Sequence, residues 1–207
     1  MCSDGSGDAL ADLEAVLDRV AAVDLKGRFG PQVLDRTRRL MCMRNRLDAE
    51  VARTVREGEL TQAAETDGQA SMQSWLRGHA RLSGAAAHRL VGAGRALDHL
   101  PAVASAFAAG RLTAEQVATI APVARPDKLA AAAEQGVDLA GIDAALAETA
   151  ATRPHVELKQ VVHHYLARLD PDGPEPDPTE GRSLSIAKHA DGSVTGRFEL
   201  DAVGGEK

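Results

Sequence analysis

Apolar residues recur at intervals of three and four along most of this chain, and this spacing predicts a mainly α-helical fold. The first amphipathic run predicts a helix that Asp8 or Ser6 caps and that ends near Gly27. Pro31 favours the first turn of a long second helix, which we expect to reach about Gly58. The apolar positions expected on the second helix are Leu34, Leu40, Leu47, Val51 and Val55.

Shorter helices are predicted to follow the long one. Residues 58–70 (GELTQAAETDGQA) predict a connecting loop. Ser71 and Ser83 are suited to cap two short helices that form a helical hairpin. Thr113 and Gln116 match a capping box, in which each residue satisfies a backbone N–H of the other, and this predicts a further helix start. The pattern therefore favours a multi-helix bundle made of one long helix and short helical hairpins.

The last third of the chain changes character twice. Residues 126–152 are rich in alanine and predict helix with a break at Gly136, and Pro154 is expected to open a last helix. An acidic, proline-rich stretch follows, and then alternating residues around Asp191-Gly192 predict a small C-terminal β-hairpin. An isolated hairpin is marginally stable, so we expect it to lead into a missing C-terminal region or to pack on the helices. The predicted division is 1–30 (N-terminal helix and linker), 31–169 (helical domain), 170–181 (acidic Pro-rich linker) and 182–207 (β-hairpin).

Composition narrows the class of protein. Aromatic residues make up only 2% of the chain, so the core must be built from Ala, Leu and Val. Cys2 and Cys42 match no disulfide framework, which is typical of a reducing compartment. The N-terminus lacks a basic and apolar leader, and no run approaches the roughly 20 apolar residues that span a bilayer. We therefore expect a cytoplasmic protein with no membrane contact.

Charge is distributed unevenly along the chain. The formal net charge is −6, but residues 26–99 hold 13 Lys and Arg against 8 Asp and Glu, a local net of +5. Basic helix faces neutralise phosphates, so this stretch predicts weak, non-specific contact with DNA. The alternative is that these arginines are solvated or ion-paired helix surface. The candidate nucleic-acid contacts are Arg36, Arg38, Arg39, Arg44, Arg46, Arg53, Arg56, Arg77, Arg81 and Arg89.

Sequence-specific reading of DNA is not favoured by the helix after Ser83. A recognition helix needs long polar side chains near its N-terminus, where they reach base edges. This helix begins instead with Gly84 and three alanines, which suit close contact with another helix.

No arrangement of residues predicts catalysis, a metal or a cofactor. His163 and His164 are adjacent in a predicted helix and point about 100° apart, so they cannot share one metal face. His79 and His88 fall in neighbouring helices without a carboxylate or thiol in view. Cys42 lies between two methionines, has no paired base, and is interpreted as a small core residue. We expect this chain not to be an enzyme.

Several ordered phrases carry a family resemblance. They are DGQASMQSWLRGHARLS, AHRLVGAGRALDHLPAVASAFAAGRLTAEQVATIA, LDPDGPEP and RSLSIAKHADGSVTGRFELDAVGGE. From about residue 35 onward the chain resembles the actinobacterial domain of unknown function 222, the thirteen-E-twelve repeat family. The resemblance implies a helical region that precedes an HNH endonuclease module. That module needs a general-base His, a structural Asn and a metal ligand. No such segment follows Gly205 here, so no nuclease residue is carried over.

Two functional hypotheses follow. The first is a non-catalytic N-terminal module of an HNH-endonuclease-type protein that contributes nucleic-acid association or assembly, either as the product of a split or truncated gene or as a short form with its own role. The alternative is a helical oligomerisation or protein-interaction module with no nucleic-acid role. The expected partners are DNA, a second copy of the chain, or a separately encoded HNH module.

Overall fold

The computed structural model describes residues 5–170, 183–188 and 193–199, which contain ten α-helices, a 3₁₀ turn at Ala121–Ala124 and two strands. The expectation of a mainly α-helical chain is confirmed. The helices are α1 (Gly5–Ala21), α2 (Gly30–Leu60), α3 (Ala63–Thr66), α4 (Met72–Gly78), α5 (Gly84–Leu97), α6 (Pro101–Ala108), α7 (Ala114–Ile120), α8 (Pro126–Glu134), α9 (Leu139–Thr152) and α10 (His155–Leu169).

The two strands, β1 (Ser183–Lys188) and β2 (Val194–Glu199), pair in antiparallel fashion, with Ser183 opposite Glu199 and Lys188 opposite Val194. The expected turn dipeptide Asp191-Gly192 lies outside the described residues, as does all of the predicted linker after Asp170.

Most of the predicted helix starts are found where the capping signals place them. Ser71 accepts a hydrogen bond from the backbone N–H of Ser74, and Ser83 accepts one from Ala86. Thr113 and Gln116 make both hydrogen bonds of the capping box at the start of α7. Side-chain oxygens at these positions satisfy N–H groups that have no partner within the helix.

Two predicted boundaries are wrong. The first helix ends at Ala21 rather than near Gly27, and its expected caps, Ser6 and Asp8, lie inside it. The chain turns instead at Asp24, whose carboxylate accepts a hydrogen bond from the backbone N–H of Lys26. Such a hydrogen bond between a side chain and a nearby backbone group competes with continuation of the helix.

Residues 58–70, expected to be a loop, contain the end of α2 and the short helix α3. Ala64 of α3 is buried, so packing rather than propensity holds this single turn in place.

The main core lies among α5, α6, α7, α9 and α10. Its largest fully buried side chains include Phe107, Leu100, Leu112, Ile120, Leu146 and Leu158. A second, smaller cluster joins α2 to the α4–α5 hairpin through Val55, Leu76, Ala87 and Val91. With few aromatic residues available, alanines on facing helices allow the backbones to approach closely and fill the remaining space.

A buried carboxylate fixes the start of α6. Asp143 of α9 is almost fully buried and accepts hydrogen bonds from the backbone N–H groups of Ala102 (2.6 Å) and Val103 (3.0 Å). Leu100, the N-cap residue, supplies no capping side chain, so Asp143 serves as the cap from 40 residues away. A negative charge at this position also complements the positive end of the helix dipole.

The first helix and the first half of α2 stand apart from both cores. We call residues 5–44 the N-terminal arm and residues 45–169 the core bundle. From residue 8 to residue 44 only Val20, Val23 and Arg36 are half-buried, and every other side chain is exposed. None of the helices within the described ranges combines the length and apolarity needed to cross a membrane.

Candidate interaction surface

Four of the ten candidate arginines already have partners inside the chain. Arg36 donates from its guanidinium to the carbonyl oxygen of Val20 (2.8 Å) and so closes the last turn of α1. Arg44 lies 3.7 Å from Asp48, and Arg53 pairs with Glu50 at 2.5 Å, both on the exposed surface of α2. The interpretation of arginines as ion-paired surface therefore holds for part of the set.

The fourth, Arg56, belongs to a network that ties α2 to α5. Its guanidinium contacts Asp98 at 2.7 Å and Glu59 at 2.8 Å, and Glu59 in turn accepts from Arg95 at 2.9 Å. The hydrogen bond from Arg95 is the main cause that holds the pKa of the Glu59 carboxyl below its usual value, with Arg56 adding to it. This network is a structural link between two helices, which makes Arg56 a poor candidate for phosphate contact.

The remaining six candidates have no hydrogen bond or ion pair within the described part of the chain. They are Arg38, Arg39, Arg46, Arg77, Arg81 and Arg89, and all six are exposed. They lie in two groups, the first on the basic half of α2 and the second around the α4–α5 hairpin.

The arginines of α2 do not form the single basic face that was expected. Successive residues of a helix advance by about 100°, so Arg36 and Arg38 point roughly 160° apart. Acidic side chains also lie among them, at Asp35, Asp48 and Glu50. The charge surrounds this part of the helix rather than forming a stripe along it.

The apolar side chains of α2 are mostly exposed. Of the five apolar positions expected on this helix, only Val55 is buried. Leu34, Leu40, Leu47 and Val51 are between 38% and 58% exposed. The residues that α2 does bury are Asn45, Ala52 and Val55, on the side that meets α5 and α6.

Exposed large apolar side chains concentrate at this end of the molecule. Sixteen are exposed among the described residues, and eleven of them lie in the N-terminal arm. Three more, Leu47, Val51 and Leu60, continue along α2, whereas the core bundle beyond α2 has only Val156 and Val161. Single exposed apolar residues are ordinary, whereas contiguous apolar patches are typical of interaction sites.

Part of this apolar surface forms an open groove of about 1100 Å³, which we call the arm groove. One wall is α1, which contributes Leu13, Val16, Leu17 and Val20. The floor is α2, with Leu40, Met43 and Leu47, and the far wall comes from α5 and α6 with Leu97 and Phe107. Charged groups of α2, Arg46 and Glu50 among them, also line it. A groove lined by both apolar and charged side chains suits an amphipathic helix.

The junction between arm and core bundle is closely packed. Asn45 is buried and donates to the carbonyl oxygen of Gly110 at 3.0 Å, which ties α2 to the turn after α6. Gly110 has a φ of +78°, and a Cβ there would lie 2.6 Å from the carbonyl oxygen of Cys42. Only glycine fits this position, both for its backbone conformation and for its space.

Cys42 itself is exposed, so the interpretation of it as a core residue is wrong. Its sulfur packs near the same turn, 3.8 Å from the carbonyl oxygen of Ala109. His79 has a carboxylate neighbour that sequence alone did not indicate, since its ring nitrogen lies 3.4 Å from Asp67. No group of three His, Cys, Asp or Glu side chains suited to a metal ion occurs in the ranges that the structure describes.

The family comparison covers most of the chain. A family model described as "Domain of unknown function (DUF222)" matches residues 34–207. The chain belongs to this family. The DUF222 match begins within α2, so α1 and the first turn of α2 precede it. Neither a curated protein nor a solved structure matches the chain.

Proposed function

We propose that this DUF222 chain is a non-catalytic helical module that assembles with other proteins through its N-terminal arm. The observation that carries the proposal is the concentration of exposed apolar side chains, eleven of them in the arm and three more on the rest of α2. Beyond α2, most large apolar residues of the core bundle are covered by neighbouring helices, whereas those of the arm face the arm groove or solvent.

Energetics supports this proposal. Burial of apolar surface contributes about 25 cal/mol per Å², so a set of half-exposed leucines, valines and methionines retains a substantial driving force for association. A monomer rarely exposes a contiguous apolar patch larger than a few hundred Å² unless a partner covers it. The resemblance to the regions that precede HNH modules adds a separately encoded nuclease module to the candidate partners, beside a second copy of this chain.

Site-specific photocrosslinking in the producing cells tests the proposal. A photoreactive residue at Leu17 or Leu40 is expected to give protein adducts of discrete mass, because both side chains line the arm groove. The matched control places the same residue at Lys159, an exposed position on α10, and is expected to give none. Arm positions that yield no protein adduct would contradict the proposed function.

A second candidate function, weak and non-specific nucleic-acid association, rests on a different observation. Six exposed arginines have no partner within the described residues, and phosphate neutralisation by such groups is the main source of non-specific affinity. On this view the strongest contributors on α2 are Arg38, Arg39 and Arg46. Arg56 of the same helix is a weaker candidate, because it is held by ion pairs with Glu59 and Asp98.

Duplex DNA binding measured across a salt series tests this candidate. Replacement of Arg38, Arg39 and Arg46 by Ala is expected to weaken binding uniformly across sequences and to reduce the slope of log K against log salt by about 0.9 for each lost contact. Arg53→Ala is the control, because that side chain already pairs with Glu50. Absence of binding at low ionic strength would exclude this function.

A further inference from the structure

The two helices of the N-terminal arm carry opposite charge. Helix α1 contains four acidic residues and one arginine, a net charge of −3. Residues 30–46 at the start of α2 contain five arginines and one aspartate, a net charge of +4. Both helices also expose apolar side chains, so each offers an apolar surface together with charge that is mainly of one sign.

These charges are not paired with one another inside the chain. Among the described residues no ion pair joins α1 to α2, and the one polar contact between them is Arg36 to the backbone of Val20. Asp8, Asp12, Glu14 and Asp18 have no ion pair or side-chain hydrogen bond in the described ranges, and neither do Arg38, Arg39 and Arg46. The two helices therefore carry opposite charge, but no ion pair joins them within the described part of one chain.

In a dimer with two-fold symmetry, one half of such a surface contacts the other half of the same surface on the second subunit. In an isologous dimer the same patch occurs on both subunits and must be self-complementary. The arm meets this requirement, since it holds both an acidic apolar helix and a basic apolar helix segment. A partner of a single charge sign would satisfy one of the two helices and oppose the other.

We infer that the occupant of the arm groove is a second copy of this chain, in a two-fold dimer where the acidic α1 of each copy lies against the basic first half of the other copy's α2. This inference rests on the proposed function, because it names the partner of the same surface. Apolar side chains such as Leu13, Leu17 and Leu40 form the centre of the interface, and the charged residues surround them, as in protein interfaces generally.

Charge reversal with complementation tests the pairing. The full chain is expected to sediment as a concentration-dependent dimer of twice 21.7 kDa. One variant carries Asp12→Arg and Asp18→Arg, and a second carries Arg39→Glu and Arg46→Glu. Each alone is expected to dimerise at least tenfold more weakly, because like charges then face each other. An equimolar mixture is expected to restore a heterodimer, since each reversed helix then meets its complement on the other chain.

The controls separate the inference from simpler explanations. Glu134→Arg with Glu148→Arg reverses two exposed charges of the core bundle and is expected to leave dimerisation unchanged. Unchanged helical content and free energy of unfolding at low concentration show that each variant folds, as expected for exposed positions outside the core. Nuclease treatment is expected to have no effect, whereas association that disappears with it would overturn the inference in favour of bridging by nucleic acid.

The failure of this inference is distinguishable from failure of the proposed function. A chain that stays monomeric at every concentration, or a mixture that does not restore the dimer, overturns the second-copy assignment. If crosslinks at Leu17 and Leu40 then lead only to other proteins, the arm remains an interaction surface with a different occupant. If those positions give no adduct at all, both proposals are wrong.

Discussion

The N-terminal arm and the core bundle contain the same kinds of apolar residues but bury them to different extents. In the core bundle, Leu100, Leu112 and Leu158 are fully buried, because α5 to α10 cover one another. In the arm, Leu10, Leu17 and Leu34 are at least half exposed, although they recur at helical spacing just as regularly. Amphipathic periodicity therefore indicates a helix with an apolar side, but it does not indicate whether the same chain covers that side.

Buried polar groups mark the same division. Asn45 and Asp143 are the buried polar residues among those described, and both bind backbone groups of the turns around α6. The core bundle uses them to fix the positions of helices relative to each other. The arm has no buried polar group within the described residues, which is consistent with a surface whose partner lies outside the chain.

The largest expected difference between the two regions comes from deleting leucine side chains. Leu158→Ala should lower the free energy of unfolding by about 2–5 kcal/mol, because it removes a fully buried side chain and leaves a cavity. Leu17→Ala should change it by less than about 1 kcal/mol, because that side chain is already 50% exposed. Chemical denaturation at low protein concentration measures both. Equal losses at the two sites would show that the arm is part of the core.

A slightly smaller loss of unfolding free energy is expected from a substitution where the N-terminal arm meets the core bundle. Gly110→Ala should cost about 2–4 kcal/mol, since the new Cβ meets the carbonyl of Cys42 and the backbone has a positive φ. Gly84→Ala is the matched control, because its Cβ would meet nothing within 4 Å and its φ is ordinary. The midpoint of urea unfolding compares the two variants. Similar midpoints would contradict close packing of the α6 turn on α2.

The buried cap of α6 should rank third. Asp143→Ala removes the acceptor of two backbone N–H groups and is expected to cost about 1.5–3 kcal/mol, the usual range for a hydrogen bond to a charged group. Asp127→Ala is the control, because it removes an exposed carboxylate from the first turn of α8. Thermal unfolding followed by circular dichroism would show the contrast. An Asp143 variant as stable as the control would mean that another group caps α6.

The local part of this structure follows from the sequence. The capping residues Ser71, Ser83 and Thr113, the break at Gly136 and the proline before α10 act within one or two helical turns, so their effects appear in a short window of sequence. The alanine-rich composition also predicts a helical core with few aromatic residues. The order of the family phrases indicates the family, which is confirmed over residues 34–207.

The surface could not be predicted in the same way. Asp143 reaches α6 across 40 residues and Glu59 reaches Arg95 across 36, and no local pattern signals such pairings. Four of the five apolar positions predicted on α2 are exposed, because periodicity does not specify what packs on a helix face. The same limitation made Cys42 resemble a core residue. The arm groove therefore becomes visible only when helices distant in sequence are placed together.

The smallest effect is expected from the network that joins α2 to α5. Glu59 has a pKa below its usual value, chiefly through the hydrogen bond from Arg95. The stabilisation that the ionised Glu59 carboxylate gives the folded chain is therefore complete above the ordinary pKa of a glutamate carboxyl. It is lost as the pH falls through the lowered pKa of Glu59. Glu59→Gln should lower the free energy of unfolding by only about 1 kcal/mol near neutral pH, because the partners of Glu59 are partly solvated. The variant should also show a flatter decline of stability in acid, because it has no carboxyl group to protonate at this position.

A matched pair on the same helix separates this network from ordinary surface charge. Glu50→Gln breaks an ion pair whose side chains are 73% and 53% exposed, compared with 24% and 20% for Arg56 and Glu59. Solvent screens the more exposed pair, so its loss should leave the acid limb of the stability curve nearly unchanged. Urea titrations from neutral to acidic pH compare the two variants. If both flatten the curve equally, the pairing of α2 with α5 contributes no more than exposed surface charge, and the boundary of the core bundle must be drawn after α2.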